Sequence, residues 1–212
     1  DSKGVYQDAQ GIDKLQKYAS LFGLDRKSGV EIEEMDPHVS DTDAVRSSIG
    51  QGTNNYTPVQ LARYVTTIAN EGNCYNLTLI NQIKNVDGRV VYESDNVPEN
   101  KVDLTSSQWA VIKQGMRQMV RDHTSSSALI NQINVEVAGK TGTAEEDTTR
   151  PDHALFVSFA PYDNPEVSVT CVIPHGYTSG NAEELAGMIY AYMYDPEKLD
   201  TLDITGNNQM SD

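Results

Sequence analysis

The sequence predicts an α+β fold, an antiparallel sheet with packed helices, and three observations point there. Thr57-Pro58-Val59-Gln60 and Thr105-Ser106-Ser107-Gln108 each carry the reciprocal capping signature of a helix start, followed by apolar residues at helical spacing. Three strand candidates, 135–144, 154–160 and 166–173, lie close together late in the chain. A last amphipathic segment, 182–194, supplies a helix to cover them.

In chain order, the first ten residues read as loop, and a first helix covers 12–22. There Ile12, Leu15, Tyr18, Ala19 and Phe22 share a face and Gly23 supplies the stop. Residues 25–56 are rich in Asp, Ser, Gly and Asn and predict a long ordered connection with short strands near 29–32. Connections of that length tend to be functional or to line a cleft. The second helix runs from the Thr57 cap to about Asn70, with Pro58 in its first turn, a buried stripe of Leu61, Ala62, Val65, Ile68 and Ala69, and Gly72 beyond its end. Leu79–Lys84 and Arg89–Glu93 flank Asp87-Gly88, a pair whose positive backbone angles favour a tight, peripheral hairpin.

The third helix spans 106–121, with Trp109, Ile112, Met116, Met119 and Val120 at helical spacing and Trp109 in the core. A break at Ser125–Ser127 and a short helical piece lead into the strands, the last two joined by the turn Tyr162-Asp163-Asn164-Pro165, so the sheet reads as an antiparallel meander. Leu185, Ile189 and Met193 mark the face of the final helix that covers it. Residues 1–194 thus form one structural unit, and 195–212 read as a polar, frayed tail.

With 212 residues, 38% hydrophobic and 22% charged, the chain holds enough material for one domain with a real core. A net charge of −15 argues against nucleic-acid phosphates or an anionic membrane as partners, although a local basic site is compatible with it. No apolar run approaches the roughly 18 residues of a membrane-spanning helix. Asp1 is not an initiator Met, so the sequence is expected to begin inside a longer protein. Cys74 and Cys171 fit neither a zinc site nor a redox pair, and Cys171, within an apolar run, reads as a buried free thiol. His38, His123, His153 and His175 are scattered without ligand spacing, so no metal and no cofactor is predicted. His153 opens the strand beside 138–144 and reads as structural.

The chemically informative segment is Ala138-Gly139-Lys140-Thr141-Gly142-Thr143-Ala144. It combines a cation, two hydroxyls and two glycines inside a strand-like run. Gly142 in a strand interior makes sense where another backbone must approach closely. Thr141 and Thr143 share a face by the period of two, so that both hydroxyls are available to one carboxylate, and Lys140 points to the other side unless twist brings its stem around. On composition alone, a surface strand with a solvated lysine accounts for the segment equally well.

Lys140-Thr141-Gly142-Thr143 resembles the third active-site motif of penicillin-binding proteins and serine β-lactamases, whose other two are Ser-x-x-Lys and Ser-x-Asn. Its surroundings are similar to the class B (monofunctional) transpeptidases: Ser48-Ile49-Gly50-Gln51-Gly52, then Thr57-Pro58-Val59-Gln60-Leu61-Ala62, then the motif, then His153-Ala154-Leu155-Phe156-Val157-Ser158-Phe159-Ala160-Pro161. The likeness covers most of residues 12–194. It implies the C-terminal portion of a penicillin-binding protein/serine β-lactamase-like transpeptidase fold. It also implies a cell-wall enzyme at the extracytoplasmic face of the bacterial membrane, anchored by a segment outside this sequence. Such an enzyme acylates a serine with a D-Ala-D-Ala stem peptide and cross-links it to a second strand's amine, and β-lactams take the peptide's place. By the resemblance Lys140 supplies positive potential and aids proton movement. Thr141 and Thr143 recognise the carboxylate, the substrate backbone pairs along the strand past Gly142, and the Thr143 N–H forms half of the oxyanion hole.

The departure from the pattern is as informative. None of the nine lysines has a serine three positions before it, so Ser-x-x-Lys is absent and this segment alone is expected to be inactive. Ser94-Asp95-Asn96 matches Ser-x-Asn as a string but follows the hairpin, whereas the family places its Ser-x-Asn before the helix corresponding to 12–22. That counterpart, like the nucleophile, is expected upstream of Asp1, making the upstream half of the same protein a partner, alongside partners in a cell-wall synthesis complex. The alternatives are a penicillin-sensing receptor or inactive binding domain of the same fold, and a structural module for which the Lys140 cleft is dispensable.

Overall fold

Residues 7–123, 129–146 and 148–201 are described in the computed structural model. Helix α1 spans Asp8–Leu21, starting four residues before the predicted 12–22. The extra turn carries no apolar signal. It is fixed by Asp8, whose carboxylate accepts the Ala44 N–H at 2.7 Å, and by Gly11, against which Ala44 packs so closely that a Cβ would lie 2.5 Å from it. Ala44 opens the short helix α2 (Ala44–Ser47). The strands expected near 29–32 do not form. Gly29 has φ +99°, and the Glu34 carboxylate accepts the Ser28 N–H, the Ser28 hydroxyl and the Thr57 hydroxyl, so side chains rather than a ladder hold the connection. Within it His38 and Asn55 form an isolated antiparallel bridge.

Both predicted capping boxes form. Thr57 and Gln60 start α3 (Pro58–Ala69) with Pro58 in the first turn. The buried stripe of α3 differs from the predicted one: Leu61 and Ala62 are only half-buried, while Gln60 and Arg63 are fully buried. Strand β1 (Asn73–Cys74) pairs with β4 (Asn100–Lys101), and between them β2 (Gln82–Lys84) and β3 (Val90–Glu93) form the peripheral hairpin. Its turn is longer than the two-residue form Asp87-Gly88 suggests. Of that pair only Gly88 has positive φ, and Asn85 closes the loop by accepting the Gly88 N–H and pairing with Arg89, with a register shift at Ile83/Lys84.

Thr105 and Gln108 start α4 (Ser106–Asp122), on which Trp109, Met116 and Val120 are buried. The Ser125–Ser127 break lies outside the described residues, and the short helical piece is a 3-10 turn at Ile130–Gln132. The predicted meander follows: β5 (Ala138–Ala144), β6 (His153–Ala160) and β7 (Val167–Ile173), antiparallel throughout in the order β5-β6-β7. Helix α5 (Ser179–Tyr194) packs on the sheet, but not by the predicted face. Leu185, Ile189 and Met193 are 43%, 37% and 46% exposed, while Ala182, Ala186, Tyr190 and Ala191 are buried. Small residues bring the helix close to the strands, and the Tyr190 ring fills the remaining depth with its hydroxyl bonded to Ser158 at 3.0 Å. One core lies between α5 and the sheet, and a second joins α3 and α4 to Ala138 and Phe159 on the opposite face.

Cys74 and Cys171 are buried free thiols. After Asp195 a 3-10 turn at Pro196–Thr201 replaces the start of the expected tail, and the remainder lies outside the described residues. Among the described residues, no helix is long and apolar enough to cross a membrane.

Candidate active site

Among the described residues, strand β5 is an edge strand, paired to β6 on one side only. Along it Lys140 to Ala144 line a cleft of about 860 Å³. The facing wall is the apolar side of α1, with Leu15 and Tyr18, together with Phe22 just past its end and the turn from Ser47 to Gln51. The predicted site residues therefore sit together on one open edge. Lys140 is exposed, and its Nζ donates to the Thr141 carbonyl at 2.7 Å. Thr141 and Thr143 share a strand face, as alternation requires, but have different neighbours. The Thr141 hydroxyl approaches the Met119 sulfur at 4.0 Å, while the Thr143 hydroxyl accepts the Ser179 N–H at 3.3 Å at the start of α5.

The two glycines of the motif differ in kind. A Cβ on Gly139 would meet the Phe156 ring at 2.5 Å, so packing within the protein demands glycine there. A Cβ on Gly142 would find nothing nearer than Leu155 at 3.4 Å, an ordinary contact. The fold leaves that position open rather than requiring it to be empty.

Gly50 and Gly52 bracket Gln51 with φ +86° and +82°. The turn they make is anchored by hydroxyls: Ser40 and Ser47 lie 2.6 Å apart, Ser40 Oγ accepts the Thr53 N–H, and Ser47 donates to the Thr42 carbonyl. Gln51 reaches across the cleft. With its amide nitrogen donating and its oxygen accepting, it makes two 3.3 Å contacts with the backbone of Glu145, just past β5. Sequence reasoning used Gly-Gln-Gly only as a landmark, although paired glycines around a long polar residue are a legible sign of a side chain presented by a tight turn. Tyr56, also at the cleft, donates to Asn54 at 2.9 Å, and burial pushes its hydroxyl up to about 12, so it stays a neutral donor.

The fold also assembles what the sequence left scattered. Glu146, His153 and His175 offer ligand atoms within 4.8 Å of one another, and of the three His153 lines the cleft. Two histidines and a carboxylate are a donor set that suits a divalent cation. The hydrogen bonds give the trio another role. A backbone N–H can only donate, so the His175 N–H at 3.1 Å makes His153 Nδ1 an acceptor and places the ring proton of the neutral imidazole on Nε2, which faces Glu146 at 3.2 Å. A metal at Nε2 would have to displace that proton. Glu146 thus engages His153. Ser94-Asp95-Asn96 follows β3 and is not part of the cleft lining.

Residues 6–191 match the family described as the penicillin binding protein transpeptidase domain. Penicillin-binding protein 2A of Bacillus subtilis is 30% identical over 193 residues, which is 82% of this chain and 27% of that protein. The solved structure of penicillin-binding protein 2B from Streptococcus pneumoniae strain R6 superimposes with a TM-score of 0.74 at 30% identity, covering 87% of this chain and 33% of that one. Penicillin-binding protein A from M. tuberculosis, solved as an imipenem acyl-enzyme complex, gives a TM-score of 0.72 at 26% identity over 85% of this chain and 42% of that one. The chain spans about a quarter to a third of the length of the curated relatives it matches.

Proposed function

The chain belongs to the penicillin-binding protein transpeptidase family, and we propose that it forms the Lys-Thr-Gly wall of a peptidoglycan D,D-transpeptidase whose serine nucleophile lies outside this sequence. The observation that carries this reading is the edge of β5 along the cleft, unpaired among the described residues, with Gly142 open beside it. An extended D-Ala-D-Ala stem peptide, or a β-lactam in its place, pairs with that edge as an added strand. The serine oxygen bonds to the penultimate D-Ala carbonyl carbon, terminal D-alanine leaves with a proton, and an amine from a second stem peptide then displaces the serine. Lys140 supplies positive potential and assists the proton movement. The Thr143 N–H is one oxyanion donor, and its hydroxyl, at the mouth of the cleft, meets the ligand carboxylate together with Thr141.

The apolar face of α1 across from Lys140 supports a nucleophile-bearing segment packed there, because exposed apolar surface of this kind marks an interaction site. The same reading places the enzyme at the extracytoplasmic face of the bacterial membrane, among cell-wall synthesis partners. No feature of the cleft favours a sensing receptor over turnover.

The two glycines test the reading. In the protein that joins this chain to its nucleophile segment, Gly142→Val is expected to reduce penicillin acylation about a hundredfold or more, the scale at which a misplaced reactant fails to react, with unfolding free energy changed by less than about 1 kcal/mol. Gly139→Val is expected to destabilise by about 1–3 kcal/mol through overpacking against Phe156. Acylation unaffected by Gly142→Val would remove the strand-pairing role.

A further inference from the structure

We propose that His153 is a positioning residue for Thr143, acting through the turn between β7 and α5, and that it thereby tunes recognition of the ligand's carboxylate; this rests on the transpeptidase reading above. The turn is conformationally expensive. His175 and Tyr177 have φ of +54° and +66°, values that non-glycine residues adopt only when their surroundings hold them there. Four bonds do so. The His175 N–H donates to His153 Nδ1 at 3.1 Å, His175 Nδ1 donates to the Pro151 carbonyl at 3.1 Å, the Tyr177 N–H donates to the Asp152 carbonyl at 3.1 Å, and the Asn181 amide donates to the Gly176 carbonyl at 2.8 Å. His153 is itself oriented by its Nε2 contact to Glu146.

The turn ends at Thr178, the N-cap of α5, and delivers the Ser179 N–H to the Thr143 hydroxyl. Because a backbone N–H only donates, it occupies an acceptor site on that oxygen and leaves the hydroxyl proton free to be given to a ligand carboxylate. Loosening the turn frees the hydroxyl to rotate, so its proton is no longer held toward the ligand.

The test compares a penicillin with its carboxylate methyl ester in the protein that joins this chain to its nucleophile segment. His153→Ala is expected to lower the second-order acylation constant for the free acid about tenfold, the scale of one hydrogen bond to a charged group. The loss should fall on the initial binding constant rather than the limiting acylation rate, and the ester's constant should not change. His153→Asn, whose Oδ1 can stand in for Nδ1 and accept the His175 N–H, is expected to restore most of the effect, and His153→Gln is not. Equal losses on acid and ester, no loss at all, or rescue by Gln instead of Asn would each overturn the proposal. Amide exchange in the present chain gives a readout free of catalysis: His153→Ala should speed exchange at Ser179 and His175, and unchanged exchange there also overturns it. If the unmutated protein takes up neither penicillin nor ester, the transpeptidase reading fails, and the exchange measurement still decides the role of His153.

Discussion

Replacing Lys140 with alanine, in the protein that joins this chain to its nucleophile segment, is expected to slow acylation by penicillin by about 10²–10⁴-fold, the range for removing a proton-transfer group. Stability should barely change. The Lys140 side chain is exposed, and the bond it makes, to the Thr141 carbonyl, lies within its own strand, so the substitution belongs with surface changes worth about 0.5 kcal/mol or less. Arginine should recover only part of the rate, since a planar guanidinium fork does not reproduce a compact ammonium near the nucleophile. Stopped-flow acylation alongside urea unfolding separates the two effects. A Lys140→Ala protein that acylates normally would favour the structural-module reading, in which the cleft is dispensable.

Arg63→Ala is expected to give the largest loss of stability, more than about 3 kcal/mol, because a fully buried side chain and its several hydrogen bonds are lost together. The Arg63 side chain is 1% exposed. Its guanidinium donates to the Tyr75 carbonyl at 2.9 Å, the Lys27 carbonyl at 3.1 Å and the Asn76 side chain at 3.1 Å, and it pairs with Glu99. These partners come from three segments with little secondary structure of their own, so α3 uses one residue to hold the long connection and the strand region after it. Without the guanidinium the Tyr75 and Lys27 carbonyls lose this donor. Arg63→Lys cannot span the same fork and should recover only part of the loss. Urea unfolding of this chain measures both, and a shift below about 1 kcal/mol for alanine would show that these segments are held by other means.

Much of this fold was legible because its signals are local. The Thr57 and Thr105 capping boxes set the starts of α3 and α4, and three closely spaced strand candidates with a Tyr-Asp-Asn-Pro turn gave the β5-β6-β7 meander. The Lys140–Thr143 run sits, as read, on a strand at a cleft. What was missed depends on contacts between distant residues. The burial of Arg63 follows from carbonyls far along the chain, and no periodicity signals it. The α5 face was misread because apolar size was taken as the guide to burial, whereas close approach to the sheet selects Ala182 and Ala186 and leaves Leu185 and Ile189 outside. The expected strands near 29–32 lost to the Glu34 carboxylate, a side chain serving as backbone partner. His153 and His175 looked scattered because the β6–β7 register and the following turn, not sequence spacing, bring them together.

The central claim is that this chain contributes the Lys-Thr-Gly wall and not the nucleophile, and intact-mass spectrometry after incubation with benzylpenicillin tests it most directly. The chain alone is expected to remain unmodified, since a stable adduct needs an activated serine and Ser-x-x-Lys is absent. Joined to a segment that carries that motif, it is expected to take up one equivalent, mapped by peptide digestion to a serine outside these 212 residues. A stoichiometric adduct on the isolated chain, at Ser94 or at any other serine within it, would contradict the account.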